Sequence, residues 1–220
     1  MMVGRLTASI CVPFEEMTRL ILIRHGRSTW NAAKRIQGQA DPPLDGVGRE
    51  QARRLADRLR GEEIAVLYAS PLRRAQETAE IIGEALGVPV VPDERLKEHD
   101  AGDFTGLTWE QVTEQYPEVA RRWAEDPWSL EIPGEEEDAV FRARVVAAFD
   151  DILAQHAEGT VGVVAHGGTL GAYLNHLIGL PTRFSPFRFA NGSLSIVEVN
   201  PVRPRIVLLN DTCHLVGRFC

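Results

Sequence analysis

Apolar residues in this chain come in short unbroken runs separated by longer stretches of helical period. Leu20-Ile21-Leu22-Ile23, Ile64 to Tyr68 and Val161 to Ala165 are runs of aliphatic and β-branched residues, the pattern of strands buried on both faces. Val88 to Val91 predicts a further short strand, and Leu194 to Val199 with Arg205 to Leu209 a pair joined by a proline-marked turn. Between them the apolar positions recur every three to four residues. Val47, Ala52, Leu55, Ala56 and Leu59 mark a helix over about Gly46 to Arg60, capped by Asp45. Leu72, Ala75, Ala79, Ile82 and Leu86 mark a second, opened by Ser70 as cap and Pro71 at its first position. Phe141, Val145, Ala148, Phe149 and Ile152 mark a third over about Glu136 to His156, and a fourth runs from His166-Gly167-Gly168 to about Ile178.

Strands alternating with helices predict an α/β fold with a mostly parallel central sheet, a three-layer α/β/α sandwich. Asp93 to Gly134 breaks the alternation with many charges, short helical pieces and Trp109, Trp123 and Trp128. It reads as a small helical cap inserted at about 93–134 of a single domain spanning 17–220. Residues 1–16 read as an N-terminal tail, or as sequence upstream of a start at Met17. Ala8 to Phe14 is weakly apolar, but Glu15-Glu16 follow and no small-residue cleavage site appears, so a secretory signal is not expected.

The chain has 220 residues and 44% hydrophobic content, enough for one core of ordinary size. No apolar stretch approaches the ~18 residues of a membrane span. Cys11, Cys213 and Cys220 form neither a metal spacing nor a disulfide framework, which fits a reducing cytoplasm. The net charge of −7 argues against nucleic acid and anionic membranes as partners. It leaves room for a local cationic pocket.

Such a pocket is expected where the strands end, because open α/β sheets bind ligands beyond their carboxyl edges. The first strand ends in Arg24-His25-Gly26. The second leads to Ser70 and to Arg73-Arg74, and the strand at 161–165 ends in His166. Imidazole attacks phosphorus, guanidinium binds phosphate oxygens in pairs, and the helix start after His166 favours an anion. No metal-ligand cluster and no cofactor motif accompany these residues.

Arg24-His25-Gly26-Arg27-Ser28-Thr29-Trp30-Asn31 resembles the signature of the histidine phosphatase superfamily, also called phosphoglycerate mutase-like. Ser70-Pro71-Leu72-Arg73-Arg74, Leu96-Lys97-Glu98 with Gly102 to Gly106, Val164 to Gly168, and Leu44-Asp45 with Gly48 and Gln51-Ala52 resemble its other motifs, in family order. The resemblance implies that His25 is the nucleophile and forms a phosphohistidine. It implies that Arg24, Arg74 and His166 surround the phosphoryl group, with Asn31 and Gly167 in the phosphate pocket. Glu98 is then the group that protonates the leaving oxygen and activates water. Arg73 reads as a surface neighbour, and His99 stands evenly between substrate contact and bystander. Of Glu135 to Glu137, Glu136 is the one expected at the pocket rim.

The family divides into phosphatases and mutases. Glycolytic mutases follow the catalytic glutamate with an Arg-His-Tyr-Gly-like segment, whereas Glu98 is followed here by His99-Asp100-Ala101-Gly102. Asp100 beside a carboxylated phosphate ester is unfavourable. The expected activity is therefore metal-independent hydrolysis of a small phosphorylated metabolite. A cofactor-dependent phosphoglycerate mutase is the alternative, and a non-catalytic phospho-ligand module the remote one. Oligomeric state stays open, with a homodimer through an edge strand of the C-terminal hairpin as one arrangement.

Overall fold

The structure, a computed structural model, describes residues 17–125, 131–180, 185–200 and 204–216. The expected N-terminal tail, 1–16, lies outside the described residues. Strands β1 (Thr18–Arg24), β2 (Ile64–Ala69), β3 (Val90–Pro92), β4 (Gly159–Ala165), β5 (Leu194–Val199) and β6 (Arg205–Asp211) form one sheet in the order β3-β2-β4-β1-β5-β6. β3, β2, β4 and β1 are parallel, whereas β5 and β6 close the sheet as an antiparallel hairpin. β6 is the edge, with Ile206, Val207 and Leu209 exposed.

The helices are short α1 (Thr29–Ala32), then α2 (Gly46–Arg58), α3 (Arg73–Leu86), α4 (Trp109–Gln115), α5 (Pro117–Glu125), α6 (Asp138–Gln155) and α7 (Gly167–Leu177). Alternate residues of each central strand feed opposite layers. Leu20, Leu22, Val161 and Val163 pack under Phe141, Val145 and Phe149 of α6 and Leu170 and Tyr173 of α7. Ile21, Ile23, Leu67 and Val164 pack under Leu55 of α2 and Ala75, Ala79 and Ile82 of α3. Leu20 to Ile23 are fully buried. At ~1.5–3 kcal/mol for each such side chain taken from water, β1 is fixed from both sides at the centre of the molecule. Between β3 and α6 the chain forms two 3-10 turns, Glu94–Leu96 and Gly102–Phe104, followed by α4 and α5.

Two local expectations change. α3 starts at Arg73 rather than at Pro71, and its cap position is Leu72, which offers no side-chain hydrogen bond. Ser70 and Pro71 sit in the bend before it. Cys213, in the 3-10 turn after β6, is disulfide-bonded, a bond that three scattered cysteines did not suggest.

Candidate active site

Strand register brings the chemistry together. Arg24 lies opposite Ala165, and Ala69 opposite Val164. The ladder continues one step further through His25 N to Ala165 O at 3.1 Å and Ser70 N to Val164 O at 3.0 Å. His25, His166 and Ser70 therefore leave three adjacent strands side by side. The His25 and His166 rings stand 5.1 Å apart, tilted. His25 lines a cavity of about 400 Å³ whose wall also includes Arg24, Asn31, Arg74 and Glu98, whereas His166 reaches the site through its contact with His25 and is not on that wall.

The His25 tautomer follows from one bond. Nδ1 lies 2.7 Å from Gly26 O, and a carbonyl only accepts, so Nδ1 carries the proton. The Nε2 lone pair is then free for an electrophile. Burial first, then Arg24 and Arg74, push the His25 pKa well below the ordinary histidine value of 6.5. The ring is neutral at neutral pH, and its cationic setting helps to keep it so. His166 is depressed in the same sense, by burial and then by Arg74, His25 and Arg24. Its Nε2 meets Ser70 Oγ at 2.8 Å, and the same hydroxyl accepts from Leu72 N at 3.3 Å.

Arg74 is buried. Its Nη1 and Nη2 donate to Ala40 O at 2.7 Å and Gly38 O at 2.8 Å, tying down the irregular loop after α1. Desolvation lowers its pKa to about 10, so it remains a cation at neutral pH. Arg24 Nη1 donates to Phe189 O. Arg24 Nε, Arg74 Nε and His166 Nδ1 are buried and have no partner among the described residues. A buried polar nitrogen left unbonded is costly. Three of them around one neutral imidazole form a site complementary to a compact oxyanion.

Glu98 is held by backbone. Its Oε1 accepts from His99 N at 2.9 Å and its Oε2 from Gly168 N, in the first turn of α7, at 3.0 Å. Asn31 Oδ1 accepts from Ser28 N and Asn191 Nδ2, each at 3.1 Å, while the Ser28 hydroxyl donates to Gln37 Oε1 at 2.7 Å. The acceptor end of Asn31 is thus occupied, and its amide nitrogen is the end left for the cavity.

Other expected residues fall differently. Gly168, not Gly167, lines the cavity, while a side chain at Gly167 would sit 3.8 Å from Arg24 Nε. Arg73 is exposed, and its backbone N–H donates to Asp41. Glu135 lines the cavity where Glu136 was expected, because Glu136 is drawn into an ion pair with Arg144. His99 lines the cavity, with Nε2 donating to Glu136 O at 2.8 Å. Sequence reasoning missed Ser70 as a partner of His166, Asn191 behind Asn31, and Arg35 and Asp138 on the wall. Ser70 carried a signal, but as a helix cap. Asn191 lies in a loop with no pattern to mark it. Among the described residues no cluster of metal-ligating side chains exists, and no helix is long and apolar enough to cross a membrane.

Residues 20–212 match the family model described as histidine phosphatase superfamily (branch 1). Phosphoserine phosphatase 1 of Hydrogenobacter thermophilus is 39% identical over 204 residues, covering 92% of this chain and 96% of its own. A metal-independent phosphoserine phosphatase of Arabidopsis thaliana is 38% identical, covering 91% and 84%. A probable phosphoglycerate mutase of Yersinia enterocolitica is 37% identical, covering 83% and 85%. Among solved structures, a mycobacterial glucosyl-3-phosphoglycerate phosphatase in complex with VO3 superposes with a TM-score of 0.80 at 32% identity, covering 88% of this chain and 99% of that one.

Proposed function

The chain belongs to branch 1 of the histidine phosphatase superfamily, and from that premise we propose that its cavity hydrolyses a small phosphomonoester through His25. The observation that carries this reading is the neutral, Nδ1-protonated His25 set among three buried nitrogens without partners. In the first step Nε2 of His25 forms a bond to phosphorus while the ester oxygen departs. Glu98 gives that oxygen a proton. Arg24, Arg74 and His166 hold the three equatorial oxygens, where charge spreads in the transition state. In the second step Glu98 takes a proton from water, the water oxygen bonds to phosphorus, and the N–P bond breaks to restore His25.

The substrate belongs to the same proposal. Two relatives are named phosphoserine phosphatases, and the cavity beyond Glu98 carries both signs of charge. Arg35 and Glu135 stand on its wall, as does Asp138, whose carboxylate is paired with Arg142. Arg35 with Glu135 suits a phosphorylated amino acid, whose carboxylate and ammonium need opposite partners. A mutase reading has less support, since Asp100 follows Glu98 by two residues in the segment that binds substrate in mutases. A cytoplasmic setting rests on three cysteines in 220 residues. The disulfide at Cys213 weighs against that setting, and a count of thiols trapped by alkylation at lysis decides: three free thiols support a reducing compartment, fewer than three refute it.

The test is phosphate release from phosphoserine, 3-phosphoglycerate and glucosyl-3-phosphoglycerate with EDTA present. Hydrolysis centred on phosphoserine, abolished by His25→Ala in a protein that stays folded, is the expected result. Phosphoryl exchange with bisphosphoglycerate that outruns phosphate release would overturn it.

A further inference from the structure

Glu98 has two proton transfers to perform, and its side chain hangs from an irregular segment, 95–98, that belongs to no strand or helix beyond one 3-10 turn. Three of that segment's four carbonyls are held by a single guanidinium. Arg144 lies on the second turn of α6 and is largely buried, as is its partner Glu136. Its Nε and one Nη2 hydrogen grip Glu136 Oε1 and Oε2, both at 2.7 Å. Its Nη1 donates to Arg95 O at 2.8 Å and Lys97 O at 2.7 Å, and the second Nη2 hydrogen donates to Glu98 O at 2.9 Å. A guanidinium has five N–H groups, and all five are used. The ring of Phe141, one turn earlier, lies 4.9 Å from its Cζ.

We propose that Arg144, anchored by Glu136, is the positioning residue for Glu98, setting the reach of its carboxylate toward the leaving oxygen. The proposal rests on Glu98 being the proton donor. Glu136 keeps its charge in the acidic range as well. Burial alone would raise its pKa, but the hydrogen bonds from Arg144 outweigh it and hold the group below the ordinary carboxylate range. Removing Arg144 strips donors from the carbonyls of residues 95, 97 and 98 together. Among the described residues, Lys97 O alone of the three keeps a side-chain partner, Thr169 Oγ1 at 3.1 Å. Lysine at 144 restores the charge but cannot reproduce a planar fan of five bonds.

The readout is the dependence of kcat/KM on leaving-group pKa, across substituted phenyl phosphates and an alkyl phosphate. kcat/KM covers steps through the first irreversible one, so it reports the acid role of Glu98 and not its later role as base. A good leaving group needs no proton, whereas a poor one does. Arg144→Met is expected to lower kcat/KM for the alkyl ester about 100-fold, the loss typical of a 1 Å misplacement, and for p-nitrophenyl phosphate by less than about threefold. Glu136→Gln should steepen the dependence in the same sense but less. Glu98→Gln is the reference, and Arg144→Met added to it should steepen the dependence no further. If Glu98→Gln steepens the series but Arg144→Met lowers every ester equally, the positioning role is wrong. If Glu98→Gln itself leaves the series parallel to wild type, the assignment of Glu98 as acid fails instead. Thermal unfolding accompanies each variant; where Arg144→Met does not fold, Arg144→Lys and Glu136→Gln decide by the same slopes.

Discussion

Gly168→Ala separates stability from catalysis in a way the structure makes quantitative. A Cβ on Gly168 would lie 2.4 Å from Glu98 Oε1 and 3.1 Å from its Cδ, where ordinary contacts begin at 3.4 Å. The obstructing atoms are the end of a flexible side chain, so the carboxylate gives way and the backbone does not. It must retreat by about 1 Å, and a displacement of that size in a catalytic group costs about 100-fold in rate. Stability moves the other way. Gly168 is the second residue of α7, and alanine is favoured over glycine there by at most about 0.5–1 kcal/mol, the value for a helix interior. The expected outcome is a melting temperature equal to or above that of the parent, with phosphoserine kcat/KM lower by about two orders of magnitude. Thermal denaturation and steady-state kinetics on the same preparation suffice. Full activity would refute the placement of Glu98 against α7 and its proposed role with it. Lost stability would refute the claim that only the side chain yields.

Acid should destabilise the fold through its buried histidines. His25 and His166 both have folded-state pKa values well below 6.5, so as pH falls below 6.5 the unfolded chain binds protons that the native state refuses. Stability conferred by each neutral ring is complete above pH 6.5 and lost at about 1.4 kcal/mol per pH unit below it, until the depressed folded value is reached; urea midpoints from pH 7 to 5 should fall accordingly, and fall less steeply in His166→Asn. Ser70→Ala removes the oxygen that meets His166 Nε2 and should lower kcat/KM about tenfold, the equivalent of one buried hydrogen bond, with a smaller effect on the melting temperature. Gly26→Ala places a Cβ 2.5 Å from the backbone oxygen of Gly48, where nothing flexible can yield. It should cost about 1–3 kcal/mol, seen as a lowered melting temperature before any kinetic reading.

The strands and the buried stripes of α2, α3 and α6 were legible because burial imposes a period, and a period survives in sequence. Leu20 to Ile23 had to be a strand covered on both faces, and once three such strands were parallel their carboxyl ends had to share an edge. The residues that lay beyond reading are those whose neighbours differ while their types do not. Glu135 and Glu136 are adjacent glutamates at a helix start. One lines the cavity and the other pairs with Arg144, and only the direction of the chain entering α6 distinguishes them. Gly167 and Gly168 are as alike, yet a side chain at the first would meet Arg24 at an ordinary 3.8 Å, while only the second leaves space that Glu98 needs. Arg144 shares its helix with Arg142, which forms an ordinary i,i+4 pair with Asp138 at 2.9 Å; helical period alone gives no reason to rank one above the other.

Ser70 shows why such misreadings gather at the site. Serine before proline is a strong signal for a helix start, because the hydroxyl satisfies a free backbone N–H. Here α3 begins two residues later than that signal implies, behind Leu72, a cap without a side-chain bond. Ser70 Oγ still accepts from Leu72 N, but at 3.3 Å, and its shorter bond, 2.8 Å, is to His166 Nε2. The better capping geometry would draw the hydroxyl away from the imidazole and leave a second nitrogen of a fully buried ring without a partner. A weaker helix start is thus coupled to an oriented His166. Ser70→Thr tests the coupling, since threonine keeps the hydroxyl but adds a methyl in a fully buried position. If the hydroxyl is held for His166, crowding should cost activity and stability together. If it serves mainly as a cap, the same crowding should lower the melting temperature and leave kcat/KM unchanged.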